Sequence, residues 1–328
     1  MYKVHKTQND ILEDPGVNIE SYPLVQHISI VKKPFYTEFK IEEIDRALVT
    51  NDIYTFDTPP SNLQLCNSQK NYDIKEGIIF RSIGDESSWQ HFCQDTLCMF
   101  TPEVVKFLQD NTHVNIILPS VSNHHTYFIH DVFKLNNDIV TVSGNLNVCK
   151  LYFPRYYPVN RFHHGRVPFN QRQFIREKIS ERMTSEEKKN LTYMTRRDRP
   201  TRYVINEDEV VEFLKDYTLK NNLNFVLFSE SDYETMDEKF NILYNSSIVV
   251  LPSGGASYHA YACQPGTKII EAVGGKCHIM TNTSDVFIGL ELDYNIQYFD
   301  GGFTSGFIWD VDILKDFLCV NNLIFKNI

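Results

Sequence analysis

The chain has 328 residues, 42% of them hydrophobic, 23% charged and 13% aromatic, with a formal net charge of -10 at pH 7. That length favours two domains over one, and the composition excludes a disordered chain. The acidic balance argues against a broad nucleic-acid surface, which needs a basic face.

No run approaches the roughly 18–20 apolar residues of a membrane span, and Met1 to Glu20 is polar with no apolar signal core. The expectation is a soluble, cytoplasmic protein with no membrane-spanning segment. The seven cysteines, Cys66, Cys93, Cys98, Cys149, Cys263, Cys277 and Cys319, are odd in number and contain no C-x-x-C pair. Neither a disulfide framework nor a zinc knuckle is suggested, and a reducing compartment fits.

In chain order, residues 1–75 carry short β-like runs such as His27 to Val31, broken by prolines at 15, 23, 34, 59 and 60. They read as an irregular N-terminal extension packed on the first domain. From Gly77 a β-α-β rhythm sets in. Ile78 to Phe80 is strand-like, Trp89 to Met99 helical, Pro102 to Leu108 an amphipathic helix and Val114 to Leu118 a buried strand. Asp131 to Leu135 reads as a short helix, Ile139 to Val142 and Val148 to Phe153 as strands. Pro154 to Gln171, rich in Pro, His, Arg and Asn, reads as a linker ending at a helix over Gln173 to Met183.

Beyond it the spacing predicts strands at Leu191 to Met194, Phe225 to Phe228, Ile248 to Leu251 and Lys268 to Ile270. Between them fall helices at Glu207 to Leu219, opened by Asn206 or a neighbour, Met236 to Tyr244 and Tyr258 to Ala262. The expected fold class is α/β, with two Rossmann-like doubly wound domains facing a cleft, at residues 76–165 and 166–328.

Three groups of residues could carry chemistry. After the β-branched run Ile248 to Leu251 come Pro252, Ser253, Gly254, Gly255 and Ala256, small residues whose backbone N–H groups could hold a diphosphate. The next strand follows a Pro-Gly turn and delivers Glu271 at its C-terminal end, where a carboxylate could accept ribose hydroxyls. The plain alternative is a tight turn without a ligand. Arg196, Arg197, Arg199 and Arg202 follow the strand Leu191 to Met194, where a guanidinium could meet phosphate oxygens. The alternative there is a solvated loop pairing with Asp198, Glu207 and Asp208. His91 and Asp95, four apart on a helix, share one face and could act on one hydroxyl, or simply bond each other.

Other constellations carry less. His124-His125 and His163-His164 read as exposed loop pairs. Asp310-Val311-Asp312 mimics a metal-binding Asp-x-Asp, but it precedes the helical Ile313 to Leu318 and reads better as a helix start. No Walker loop, nucleophile elbow or complete Gly-x-Gly-x-x-Gly is present.

Leu191 to Arg197, with Arg202 and Asn206-Glu207-Asp208-Glu209, resembles the Ser-Arg-Arg and Arg-x-x-x-Asn-Glu-x-Glu signature of family 61 glycosyltransferases. Pro252 to Ala256, with Pro265-Gly266-Thr267 and Glu271, resembles that family's Pro-His-Gly-Ala-Gly block and its Pro-Gly-x-x-x-x-Glu strand. His91-Phe92 and Asp95 resemble its His-Phe/Trp-x-x-Asp/Glu element, and the likeness covers about residues 77–318. Two positions depart from it. Ser253 stands where the family has His, and Gly-Gly-Ala replaces Gly-Ala-Gly.

The resemblance implies a GT-B enzyme related to O-linked N-acetylglucosaminyltransferases and xylosyltransferases. Residues 76–165 would face the acceptor and residues 166–328 would bind the nucleotide sugar. It would invert the anomeric centre, moving xylose or N-acetylglucosamine from a UDP-sugar to a hydroxyl of a glycan or glycoprotein. Asp95 would be the general base with His91 beside it. Arg196, Arg197, Arg202, Ser253, Gly254, Gly255 and Ala256 would hold the leaving UDP, and Glu271 the ribose. No cofactor is implied beyond the UDP-sugar substrate, and no metal is expected in the chemistry. A chain without a secretory signal fits a bacterial or viral glycan pathway. The Ser253 departure keeps open an inactive carbohydrate- or nucleotide-binding relative of the same fold, and a third class is a different α/β nucleotide-sugar enzyme such as a GT-B type epimerase.

Overall fold

The computed structural model describes residues 25–27, 38–49, 64–65, 73–80, 88–118, 120–142, 145–157, 169–185, 187–274, 290–299 and 305–319. They fold as two compact units, one drawn from residues 1–33 and 179–328, the other from 34–178. Each is built around one six-stranded, parallel-rich sheet. In chain order the strands are β1 (Val25–His27), β2 (Glu38–Val49), β3 (Gln64–Leu65), β4 (Ile74–Ile79), β5 (Asn115–Leu118) and β6 (Ile139–Thr141). They continue as β7 (Leu146–Tyr157), β8 (Asn190–Met194), β9 (Asn224–Phe228), β10 (Ser246–Pro252), β11 (Lys268–Gly274) and β12 (Asp293–Phe299).

In the unit of residues 34–178 the order is β3-β2-β7-β4-β5-β6. Strands β7, β4, β5 and β6 run parallel, whereas β2 pairs antiparallel with β7 and β3. The stretch expected as an irregular extension thus supplies the 12-residue strand β2 to this sheet and β1 to the other. Its sequence, EFKIEEIDRALV, mixes charges into the alternation because it lies away from the parallel core of the sheet, and that masks its period. Ala47 and Val49 of β2 still bury against Val148, Leu151 and Ile74. The expected helix at Pro102 runs as Pro102–Asp110, with proline at its start, and Thr101 caps its first turn by accepting the Val104 N–H at 3.2 Å.

In the other unit the order is β1-β12-β11-β10-β8-β9, with β8 to β12 all parallel and β1 antiparallel at one edge. Counting from β8, the parallel strands lie in the order 2-1-3-4-5, that of flavodoxin-like doubly wound sheets. In such sheets ligands bind beyond the carboxyl ends of the strands, at the place where the order reverses. Here that place is between β8 and β10. The apolar runs foreseen for β8, β10 and β11 are buried because both faces are covered. Leu191, Tyr193, Val250 and Ile270 pack on one side against Val210 and Leu214 of the helix Glu207–Asn221 and Leu314 and Phe317 of Val311–Cys319. Since side chains alternate, Glu271 points from the face opposite Ile270.

Three expectations need correction or placing. The helix expected at Asp131 to Leu135 lies earlier, as Asn123–Thr126 running into a π-helical Tyr127–Val132, because Ser122 caps it and Tyr127, Phe128 and Ile129 bury. His125 is not exposed but fully buried, its ring 4.7 Å from that of Phe92. Its Nδ1 lies 2.6 Å from Ser122 Oγ, and burial, then His124, push it down to about 3. His163 and His164 fall outside the described residues. Asp310 Oδ1 accepts the N–H groups of Asp312 and Ile313 at 3.0 and 3.2 Å, the bonding of a helix start. No helix among the described residues is long and apolar enough to cross a membrane.

Candidate functional site

Strands β8, β10 and β11 are adjacent and parallel, so their C-terminal ends bring three chain segments together. After β8 comes the loop Thr195 to Arg202, after β10 the turn Ser253-Gly254, and β11 carries Glu271 level with Leu251 of β10.

Arg196 crosses from the first segment to the second. A Cβ built on Gly254 would sit 2.0 Å from Arg196 Nη1 and 2.9 Å from Cζ, so the guanidinium lies directly on the glycine. The backbone at Gly254 is extended, with φ 170°, so it is space rather than conformation that demands glycine. Arg196 Nη2 donates to the Thr201 carbonyl at 3.3 Å, while its buried Nε has no hydrogen-bond partner. Burial first, then the positive charges of Arg202 and Arg199, push the guanidinium down to about 10. The Asp198 and Glu230 carboxylates pull it partway back, and a cation held against its solvation beside like charges marks a candidate anion site.

The other arginines divide. Arg197 is 62% exposed and spends its guanidinium on carboxylates, Nε donating to Glu207 and Nη2 to Asp208, each at 2.6 Å. Arg199 lies 3.2 Å from Glu230 and 3.4 Å from Asp198. Arg202 adopts left-handed backbone, φ 57°, a conformation that costs a non-glycine residue on the order of 1 kcal/mol. Its N–H donates to Ser305 O at 2.9 Å, and its charge reaches both Arg196 and Glu271. The solvated-loop alternative therefore describes Arg197 and Arg199, whereas Arg196 is turned onto the glycine turn.

The small-residue turn runs into a 3-10 helix, Gly255–Ala262, which starts three residues before the expected Tyr258 and ends where expected. Ser253 and Gly254 are buried, and Gly255 and Ala256 are partly exposed at the helix start, where main-chain N–H groups have no partner inside the helix. Ser257 holds the turn, its N–H and hydroxyl both donating to Gly254 O. His259, 2% exposed, places Nδ1 3.0 Å from Ala256 O and 3.8 Å from Glu230, with burial lowering its pKa.

Glu271, expected to meet ribose hydroxyls, is 1% exposed, and its carboxylate takes hydroxyls of the protein itself. Tyr294 donates to Oε2 and Ser257 to Oε1, with the Ser253 hydroxyl also bonding to it. Burial raises its pKa, and the three hydroxyls and Arg202 pull it partway back. Glu271 thus braces the turn from below.

His91 and Asp95 lie in the other unit, on the first described helical segment after β4. It begins as α-helix at Trp89–His91, becomes π-helical over Phe92–Thr96 and ends as a 3-10 turn at Leu97–Met99. The spacing assumed for an α-helix, one face for residues four apart, is therefore loosened at this pair, and π turns of this kind cluster at functional sites. Phe100 anchors the segment, stacking on Phe80 at 4.2 Å and Phe133 at 5.2 Å, and taking the Gln171 amide at 2.6 Å on its carbonyl. His91 is half-buried, and the Asp95 side chain falls outside the described residues.

Residue-type reasoning missed the scaffold behind the arginine loop. Glu207 was read only as a helix start or a surface partner, yet it is 4% exposed and receives Tyr193 and Thr195 hydroxyls as well as Arg197. Asn206 clamps the main chain of Trp309, donating to its carbonyl at 2.9 Å and accepting its N–H at 2.8 Å. The Asn-Glu pair singled out by the motif was the available signal.

The family model described as Glycosyltransferase 61 matches residues 89–270, more than half of the chain. The matched span takes in the Trp89 segment, the arginine loop and the glycine turn, and stops one residue short of Glu271. No curated protein matches the chain.

Proposed function

The chain belongs to the glycosyltransferase 61 family and is a glycosyltransferase, and from that premise we propose an inverting, GT-B type enzyme that takes its sugar from UDP. The sugar is xylose or N-acetylglucosamine, and the acceptor is a hydroxyl of a glycan or glycoprotein. The observation that carries the reading is Arg196 lying on Gly254 at the strand-order reversal, where its guanidinium makes no salt bridge to a carboxylate among the described residues.

In this reading the diphosphate occupies the ends of β8 and β10. Arg196 and Arg202 supply charge, and the N–H groups at Gly255 and Ala256 supply dipoles, where negative charge builds on the departing UDP. Asp95, with His91 beside it, takes the proton from the acceptor hydroxyl. The freed oxygen attacks the anomeric carbon in line, and the bond from that carbon to the diphosphate oxygen breaks, inverting the centre. Fixed positive groups do the work a metal ion does elsewhere, so turnover persists in EDTA. Ser253 and Glu271 shape the turn from behind, and Arg197 serves the loop.

A thermal-shift screen with UDP, GDP, CMP and UDP-sugars tests the proposal. At a hundredfold excess over Kd a ligand specific for the folded state adds about 2.7 kcal/mol, a rise of roughly 4 °C for a chain of this length. A rise with UDP and one UDP-sugar, lost in Arg196→Ala, is the expected result. No shift with any nucleotide overturns it.

A further inference from the structure

We infer that Glu207 is a positioning residue that sets where the Arg196 guanidinium sits, an inference that rests on the reading of that site as the diphosphate pocket. Three donors converge on this one carboxylate. Tyr193, from the last turn of β8, gives its hydroxyl to Oε1 at 2.9 Å, and Thr195 gives its hydroxyl to the same oxygen at 2.7 Å. Arg197 Nε donates to Oε2 at 2.6 Å. Thr195 Oγ1 in turn accepts the Arg197 N–H at 3.1 Å. The residues on both sides of Arg196 are therefore tied to one buried acceptor, through a side chain on one side and through a side chain and the main chain on the other.

The remainder of the loop closes on itself. Arg199 N–H donates to Arg196 O at 2.9 Å, and Arg196 Nη2 to Thr201 O. The Thr195 N–H donates to Phe228 O and the Arg202 N–H to Ser305 O, each at 2.9 Å, and the side chains flanking Arg196 are held at Glu207, the first residue of the helix Glu207–Asn221, where Asn206 pins that helix to Trp309. A carboxylate at this position is favoured by the positive helix end and holds Arg197 Nε at 2.6 Å. Moving Arg196 by an ångström takes a charged donor out of hydrogen-bond range of a phosphate oxygen, so the anchor sets binding without touching the ligand. Glu207 itself is 4% exposed and turned toward three donors of the protein.

The test compares Glu207→Gln, Thr195→Val and Arg196→Ala in the full chain, measuring the UDP dissociation constant by calorimetry beside the melting temperature. Glu207→Gln keeps an acceptor for the two hydroxyls but turns an amide N–H₂ toward Arg197. Thr195→Val removes one hydroxyl at constant shape, which guards against a variant that fails to fold. Both are expected to weaken UDP about tenfold, and to raise the donor KM more than they lower kcat, out of proportion to any change in melting temperature. If Arg196→Ala abolishes UDP binding while the other two bind as the parent does, Glu207 is only a structural ion pair and the inference falls. If Arg196→Ala binds UDP unchanged, the pocket itself is misread and the inference falls with it.

Discussion

Replacing Gly254 with alanine isolates the contact on which the functional reading turns. The added methyl would lie 2.0 Å from Arg196 Nη1, whereas unstrained contacts between such atoms are about 3.5 Å, so the guanidinium must retreat by roughly 1.5 Å. Charge-assisted hydrogen bonds span about 2.7–2.9 Å and weaken steeply beyond that, so the displaced group loses its hold on a phosphate oxygen. One such bond is worth about 1.5–3 kcal/mol, which is about 10- to 150-fold in Kd. The fold is spared for two reasons. The backbone at Gly254 is extended and accepts any residue, and the displaced group is the end of a flexible side chain, costing about 0.5–1.5 kcal/mol. Reduced freedom of the unfolded chain returns about 0.4–1 kcal/mol. Titration calorimetry with UDP, beside a thermal melt, should therefore show a melting temperature near that of the parent and an affinity loss of at least tenfold. A variant that binds UDP within twofold of the parent refutes the placement of the diphosphate on Arg196.

Arg196→Met should stabilise the ligand-free protein by on the order of 1 kcal/mol while abolishing UDP binding, since burial makes the charged form costly there. A lower urea midpoint would contradict this. Burial holds the Glu271 carboxyl above its ordinary range, so the folded protein keeps that proton where the unfolded chain has released it. Its contribution is complete below the ordinary carboxylate pKa and is lost as pH rises through the folded-state value. Glu271→Gln, which cannot ionise, should gain on the parent in urea midpoint as pH rises from about 4 to 7, and a pH-independent difference would refute the sign. Asp95→Asn should lower kcat by about 10²- to 10⁴-fold with UDP affinity unchanged, and undiminished turnover would move the general base elsewhere.

What could be read from the sequence was whatever depends on uninterrupted local pattern. Ile248 to Leu251 and Leu191 to Met194 are apolar without a break, and only a strand covered on both faces uses such runs, so β10 and β8 appear within two residues of their expected ends. Met236–Tyr244 begins and ends as expected because Thr235 and Glu238 form a reciprocal cap. Strand β2 escaped notice because its partner β7 is distant in sequence and its own residues are mixed in charge. The π turn at Phe92–Thr96 was illegible for another reason. It is set by how Phe92 and Phe100 pack among Phe128, Phe80 and Phe133, not by any propensity of FCQDT itself. Within the site, residue types located the arginine loop, the glycine turn and Glu271 at three neighbouring strand ends. They could not say which arginine is spent on a carboxylate, or that the glutamate faces inward, because both follow from three-dimensional partners such as Glu207, Tyr294 and Ser257.

The division of labour among those partners bears on why the motif has the form it does. Arg196 is destabilised by its own surroundings, and neither Glu207 nor Glu271 relieves it. Glu207 is occupied by Arg197 and two hydroxyls, and Glu271 by three hydroxyls on the far side of the glycine turn. Either carboxylate, moved to meet Arg196, would stabilise the empty protein and compete with the diphosphate for the same guanidinium. On the proposed reading, keeping both acids behind the loop and the turn leaves the charge for the diphosphate, so binding energy and folding energy become coupled at one residue. The Asn-Glu pair then encodes an arrangement more than a list of ligands: an asparagine that fixes a helix to Trp309, and a glutamate that ties down the loop on both sides of Arg196.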